Sequence, residues 1–110
     1  HVNFRFHKCL FDKKYCKEEG ANWRKAAVVI GMHPDEATEI IVDEALAAGK
    51  AFAVVPCCVF PSMFPNRRLK SGEGVRSLDN FVQYLMEKDD GIQLATLEDV
   101  PGCNTVVYKK

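Results

Sequence analysis

Two short motifs carry side chains that do chemistry in enzymes. Residues 33–35 read His-Pro-Asp, and residues 56–58 read Pro-Cys-Cys. Histidine titrates near neutral pH and serves as a base or a substrate-orienting donor, although it equally completes the hydrogen bonding of a helix start. A cysteine near helix ends acts as a nucleophile or lines a pocket, and a buried one is inert. The candidate catalytic residues are His33, Asp35, Cys57 and Cys58.

The elements around these motifs predict that they meet. Ala26–Met32 is unbroken apolar sequence, typical of a strand buried on both faces of a parallel sheet, and Ala51–Val55 is a second such strand. Between them, Pro34 and two acids predict a helix over 34–48 that ends at Gly49. Such a β-α-β unit has parallel strands about 4.8 Å apart, so both motifs leave the sheet at the same end and share one crevice.

The other segments predict a small mixed structure. Alternating residues predict a strand at Val2–Phe6, and the charged segment Asp12–Lys25 predicts a solvated turn or short helix. An apolar stripe behind Ser77 predicts a helix over 77–88, and strands at 92–97 and 105–108 predict a closing antiparallel pair. A proline- and glycine-rich loop before that helix has a basic tip that holds RNA phosphates or is simply solvated. The candidate substrate-binding residues are Pro34, Pro56, Phe60, Arg67, Arg68 and Lys70.

Composition limits the partners and the compartment. The 110 residues fit a single domain over 1–110, and 15 basic residues balance 15 acidic ones, so no overall charge attracts nucleic acid or an anionic membrane. The longest apolar run is broken by Pro56 and is too short to span a bilayer. Five cysteines, an odd number, do not form a secreted disulfide framework. The sequence therefore predicts a soluble cytoplasmic protein without a membrane partner.

Zinc binding is a weaker interpretation. His7, Cys9 and Cys16, with His33 or the adjacent cysteines, supply enough ligands. Adjacent cysteines chelate one tetrahedral ion poorly, however, and no Cys-x-x-Cys pair is present. We therefore expect no metal ligands.

The order of motifs resembles a known enzyme family. A buried strand, Gly-Met-His-Pro-Asp-Glu-Ala-Thr, a helix, Gly-Lys-Ala-Phe and a strand ending in Pro-Cys-Cys follow one another over residues 26–61. This order resembles the later half of class I S-adenosylmethionine-dependent methyltransferases, in the group with a His-Pro/Cys turn after strand four and Cys-Cys after strand five. The resemblance implies an α/β, Rossmann-like three-layer sandwich with a partial methyltransferase-type sheet, mostly parallel and finished by a C-terminal antiparallel pair.

The resemblance also implies S-adenosylmethionine as cofactor of the intact protein and RNA as the first acceptor class. Such enzymes hold the cofactor in a Gly-rich turn after strand one, which this chain lacks, because Gly72-Glu73-Gly74 lies in a polar loop without a preceding strand. The 110 residues are then a fragment of a longer enzyme or a remnant domain. We expect this chain alone to bind no cofactor and to be inactive.

A non-catalytic interaction domain is the alternative. Phe60, Met63 and Phe64 with the basic loop would then contact a partner. A partial sheet also leaves an edge unpaired beside Ala26–Met32, and proteins normally cover such an edge. This alternative predicts a homodimer through the open sheet edge.

Overall fold

A four-stranded mixed sheet organises residues 10–18 and 22–110, the part of the chain that the computed structural model describes. The strand order is β1-β2-β4-β3, and only β1 and β2 pair in parallel. The prediction of a mostly parallel sheet is therefore wrong, because β4 pairs antiparallel with both neighbours. The strands are β1 (Val28–Met32), β2 (Ala51–Val55), β3 (Gln93–Thr96) and β4 (Thr105–Lys109).

The predicted β-α-β unit is confirmed. β1 and β2 pair in register from Val28 opposite Ala51 to Met32 opposite Val55. The connecting segment begins with a 3₁₀ turn at Asp35–Ala37 and continues as a helix that ends before Gly49, whose φ of 67° is the left-handed conformation of a glycine cap. The second predicted helix is also present, and the Ser77 side chain accepts a hydrogen bond from the Asn80 amide at its start. The helices are α1 (Lys13–Lys17), α2 (Thr38–Ala47) and α3 (Leu78–Met86).

Within the described residues, the helices cover one face of the sheet. Buried side chains of α2 and α3 join Phe52, Val54 and Val107 in a single core. On the opposite face of β1, Val28, Ile30 and Met32 are 44%, 72% and 56% exposed. The prediction that β1 is buried on both faces is therefore wrong, and the described residues form two layers rather than three.

The charged segment before β1 is more buried than its composition predicts. Tyr15 and Cys16 on α1 pack against Trp23, which lies in a 3₁₀ turn at Asn22–Lys25. The Trp23 indole N–H also donates to the Cys16 carbonyl oxygen at 3.3 Å. The prediction of a short helix is confirmed, but the segment has a small core of its own. The predicted strand Val2–Phe6 lies outside the described residues, as do His7 and Cys9.

The half-buried carboxylate of Glu39 connects the long loop between β2 and α3 to the helices. Glu39 accepts from Arg67 Nε, from the Tyr84 hydroxyl and from Lys88 Nζ, each at 2.7 Å. The Arg67 guanidinium also lies 3.7 Å from the centre of the Phe64 ring. We call Glu39, Arg67, Tyr84 and Lys88 the Glu39 network.

The network shifts the titration of its members. Burial alone would raise the pKa of Glu39, but hydrogen bonds from Lys88 and Tyr84 and the charges of Lys88 and Arg67 outweigh it, so this pKa lies below its ordinary value. Burial and the hydrogen bond to Glu39 raise the pKa of Tyr84. For Lys88, burial lowers the pKa, but the hydrogen bonds to Asp43 and Glu39 prevail and raise it. The folded state therefore favours the charged forms of Glu39 and Lys88.

We expect Glu39→Gln to lower the free energy of unfolding at pH 7 by about 2 kcal/mol, because it leaves the buried Arg67 without its counter-charge. A depressed folded pKa adds stability above the unfolded carboxyl pKa, about 4.3, and loses it as pH falls through the folded value. The difference between wild type and variant should thus shrink below about pH 4. Urea unfolding from pH 7 to pH 3 measures it, with the exposed Glu36→Gln as control. Equal stability of wild type and Glu39→Gln at pH 7 would contradict the network's role.

Candidate functional site

The two predicted motifs leave the sheet side by side. His33 follows the last residue of β1, and its amide donates to the Val55 carbonyl oxygen at 2.9 Å, which continues the strand pairing by one bond. Residue Gly31 lies beneath the turn, where an added Cβ would stand 2.8 Å from Ile41 Cδ1 and 3.1 Å from Pro34 Cγ. This close packing holds the first motif between β1 and α2, and the bond from the His33 amide joins it to the end of β2.

Left-handed backbone marks both loops. Among the described residues, the non-glycine residues with positive φ are His33 at 47°, Asp35 at 53° and Phe60 at 52°. This conformation costs an L-residue of order 1 kcal/mol, and such residues cluster at functional sites where the surroundings hold them in place. All three belong to the set that the sequence selected, and Asp35 is of a type that tolerates this region best.

Three of the predicted catalytic side chains are in contact. The Cys57 thiol donates to Asp35 Oδ1 at 3.4 Å and lies 3.4 Å from Cys58 Sγ. The carboxylate oxygen and the two sulfurs all lie within 4.8 Å of one another. Cys57 is half-buried, whereas Asp35 and Cys58 are exposed. The structure thus forms a cluster of two thiols and one carboxylate, which we call the dithiol cluster.

Cys57 is a thiol rather than a thiolate in this cluster. Partial burial, followed by hydrogen bonding to Cys58 and Asp35 and by their negative charge, raises the pKa of Cys57 to about 12. The reactive form of cysteine is the thiolate, and nucleophilic cysteines have lowered pKa values. The environment therefore disfavours Cys57 as a nucleophile and leaves it as a hydrogen-bond donor to Asp35.

His33 is held by the loop that precedes β4, at the same end of the sheet as the two motifs. Its Nε2 lies 2.9 Å from the Cys103 carbonyl oxygen. A carbonyl only accepts, so Nε2 carries the proton and, in the neutral ring, Nδ1 is left to accept one. His33 is not a member of the dithiol cluster. It therefore stands apart from the two thiols as a candidate base.

Sequence reasoning missed Cys103. Its thiol points to the Cys57 carbonyl oxygen at 4.0 Å, and its own carbonyl accepts from His33. Pairing of β2 with β4 brings the loop before Thr105 next to the residues after Val55. The sequence could have indicated this contact only through a prediction that β2 pairs with β4, because residue 103 is 46 positions from Cys57 and shares no motif with it.

The predicted substrate-binding prolines and Phe60 have different environments. Pro56 is buried. Phe60, two residues beyond the second motif, is half-buried. Pro34 and Asp35 line a cleft of about 390 Å³ whose other wall includes Leu10 and Phe11. Pro34 is therefore positioned to contact a ligand, whereas Pro56 supports the turn from beneath.

The predicted basic tip is divided. Arg67 is 8% exposed and belongs to the Glu39 network, so the prediction of an exposed side chain is wrong at this position. The charge is buried because Glu39 neutralises it and aromatic rings cover it. Arg68 and Lys70 are exposed. Arg68 lines a pocket of about 310 Å³ together with Arg76, which sequence reasoning did not select.

Comparison with protein-family models, with curated proteins and with solved structures found no match. The site must therefore be interpreted from its own geometry. In the described part of the chain, no helix combines the length and apolar character needed to cross a bilayer.

We expect Cys57 to react slowly with iodoacetamide at pH 7.5 and Asp35→Asn to accelerate the reaction, because the variant removes the negative charge that opposes the thiolate. Mass spectrometry of each alkylated peptide gives the rates. Glu36→Gln, which neutralises the adjacent acid, is the matched control and should leave the Cys57 rate unchanged. Alkylation of wild-type Cys57 as fast as an unstructured peptide cysteine would contradict its protonated state.

Proposed function

We propose that this chain forms the acceptor-side half of a class I S-adenosylmethionine-dependent methyltransferase with RNA as the first acceptor class. The observation that carries the proposal is the order and direction of the strands. β1, β2 and β3 run in one direction, and β4 lies reversed between β2 and β3. If β1 and β2 are strands four and five of such an enzyme, then β3 and β4 fit strands six and seven.

The uncovered parts of the sheet support the same proposal. β1 is an edge strand among the described residues, and its outer face exposes Ile30 and Met32. A second set of strands would pair with this edge, and the helices of that set would cover the apolar face. The proposal therefore assigns the Gly-rich cofactor turn to a unit joined at β1.

The proposal needs such a unit because the loop at Gly72–Gly74, within the described residues, is not a cofactor turn. Gly72 and Gly74 lie in a tight loop in which the Leu69 amide donates to the Glu73 carbonyl oxygen at 2.8 Å. This loop has one isolated bridge, between Arg68 and Gly74, and it leads into α3 only after Ser77. It is not the strand-to-helix turn that cradles a nucleotide-like cofactor.

The crevice residues take distinct parts in the proposal. S-adenosylmethionine, when bound, supplies the methyl group on a sulfonium. His33 is the candidate base that takes the acceptor's proton at Nδ1, while Asp35 and Cys57 hold the acceptor in place. Exposed Arg68 and Lys70 contact RNA phosphates, and Arg67 is left out because its charge is used inside the protein.

Cofactor binding tests the proposal. We expect calorimetry to show no S-adenosylmethionine binding to the 110-residue chain, because the cofactor-positioning unit is missing, and binding by the natural polypeptide purified from cells. In that polypeptide, His33→Ala and Cys57→Ser should reduce transfer of a tritiated methyl group to RNA by at least about tenfold.

Thermal unfolding is measured on the same variants, which should retain the wild-type transition. A natural polypeptide that binds no S-adenosylmethionine would overturn the proposal. Variants that unfold the protein while the folded fraction keeps full activity would show that the two residues are structural.

A homodimeric interaction domain is the second candidate, and the exposed apolar face of β1 favours it. We expect this candidate to give a dimer in sedimentation at micromolar concentration and a monomer after Ile30→Lys, because a charge is costly in an apolar interface. Leu94→Lys is the control. Leu94 is 46% exposed, but it pairs with Val107 and so lies on the face of the sheet that the helices cover. A wild-type monomer would exclude this candidate.

A further inference from the structure

We propose that Asp35, Cys57 and Cys58 bind a thiophilic divalent cation, with Zn²⁺ as the best fit. This inference goes beyond the proposed methyl transfer and does not depend on it. The dithiol cluster supplies two sulfur donors and one oxygen donor, which is a ligand set that zinc accepts.

The spacing of the donors fits a single ion. Zinc bonds of about 2.3 Å to sulfur and 2.1 Å to oxygen, at tetrahedral angles, place two sulfurs about 3.8 Å apart and a sulfur and an oxygen about 3.6 Å apart. The two sulfurs lie 3.4 Å apart, and Cys57 Sγ lies 3.4 Å from Asp35 Oδ1. Both separations are close to the zinc values, and Cys58 Sγ lies within 4.8 Å of the Asp35 carboxylate oxygen.

The fold removes the objection to adjacent cysteines. In a regular strand, neighbouring side chains point to opposite faces, so two consecutive thiols do not reach one ion. Here β2 ends at Val55, and Cys57 and Cys58 lie beyond it in irregular backbone that turns back at the left-handed Phe60. Both sulfurs consequently lie within 4.8 Å of the Asp35 carboxylate oxygen. The left-handed backbone of Asp35 lies at the start of the connection to α2.

The cluster is accessible and leaves one coordination position open. Asp35 and Cys58 are exposed, so an ion enters from solvent without opening the fold. Among the described residues, the cluster offers three ligands, which leaves a fourth tetrahedral position as in non-structural zinc sites. Two thiolates and one carboxylate carry three negative charges against the two positive charges of the ion. The complex of the ion with the dithiol cluster therefore has a net charge of minus one.

Titration of the reduced 110-residue chain with Co²⁺ tests the site, because tetrahedral cobalt with thiolate ligands gives visible absorption and sulfur-to-metal charge-transfer bands. We expect one equivalent to bind with both band types and Zn²⁺ to displace it. Cys57→Ser and Cys58→Ser should each weaken binding by more than about 100-fold, since each removes a direct ligand rather than an outer partner.

Control variants separate this cluster from the thiols of Cys9 and Cys103. Cys103→Ser and Cys9→Ser remove other thiols and should leave the spectrum and the affinity unchanged. Asp35→Asn, which tolerates the left-handed backbone, should weaken binding by at least about tenfold and alter the spectrum. Circular dichroism confirms that each variant is folded.

Absence of charge-transfer bands in the wild type would overturn the proposal, as would equal binding by Cys57→Ser, Cys58→Ser and Asp35→Asn. Because the measurement uses absorption and no methyl transfer, it fails or succeeds separately from the cofactor experiment.

Discussion

The parallel pairing of β1 and β2 is the constraint on which the candidate site depends. Parallel strands end on the same side of a sheet, and the register that sets Met32 opposite Val55 brings the two following loops together. The bond from the His33 amide to the Val55 carbonyl oxygen extends this alignment into the first loop. A shift of the register by one residue would exchange the faces of β1 and separate Asp35 from Cys57. The chemistry of the site therefore begins with backbone hydrogen bonds.

The Glu39 network has a different role: it holds in place a long loop that has little regular structure. Residues 61–76 have few strand bonds to fix them, and Arg67 anchors them by inserting its guanidinium between aromatic rings and Glu39. An apolar side chain of the same size would avoid the desolvation of two charges, so the ion pair is weak evidence for stability. Its directional bonds to one carboxylate instead select one loop conformation, and this leaves Arg68 outside with its charge free to meet solvent.

Local pattern predicted the elements well because the forces that form them are local. The apolar stripe and Ser77 cap of α3, and the two apolar runs that became β1 and β2, are visible within a few residues of sequence. Burial was predicted less well, because an apolar strand has the same sequence whether one or both faces are covered. Arg67 shows the same limit, since its charge gives no sign of Glu39 at a distance of 28 residues. In the site, adjacency on parallel strands was predictable, whereas Cys103 enters through the pairing of β2 with β4.

The physical state of Cys57 connects the two interpretations of the crevice. With its proton, the Cys57 thiol is a neutral donor to Asp35, and the proposed function assigns this neutral form to contact with the acceptor. Without it, two sulfurs and a carboxylate form a negative cluster that a cation stabilises, because Cys58 and Asp35 both oppose the ionisation of Cys57. An ion on the dithiol cluster would occupy the positions that the proposed function assigns to the acceptor, whereas His33 is held by Cys103 and stays apart. The two proposals therefore predict competition: a bound cation would exclude an acceptor from Asp35 and Cys57 while leaving His33 in place.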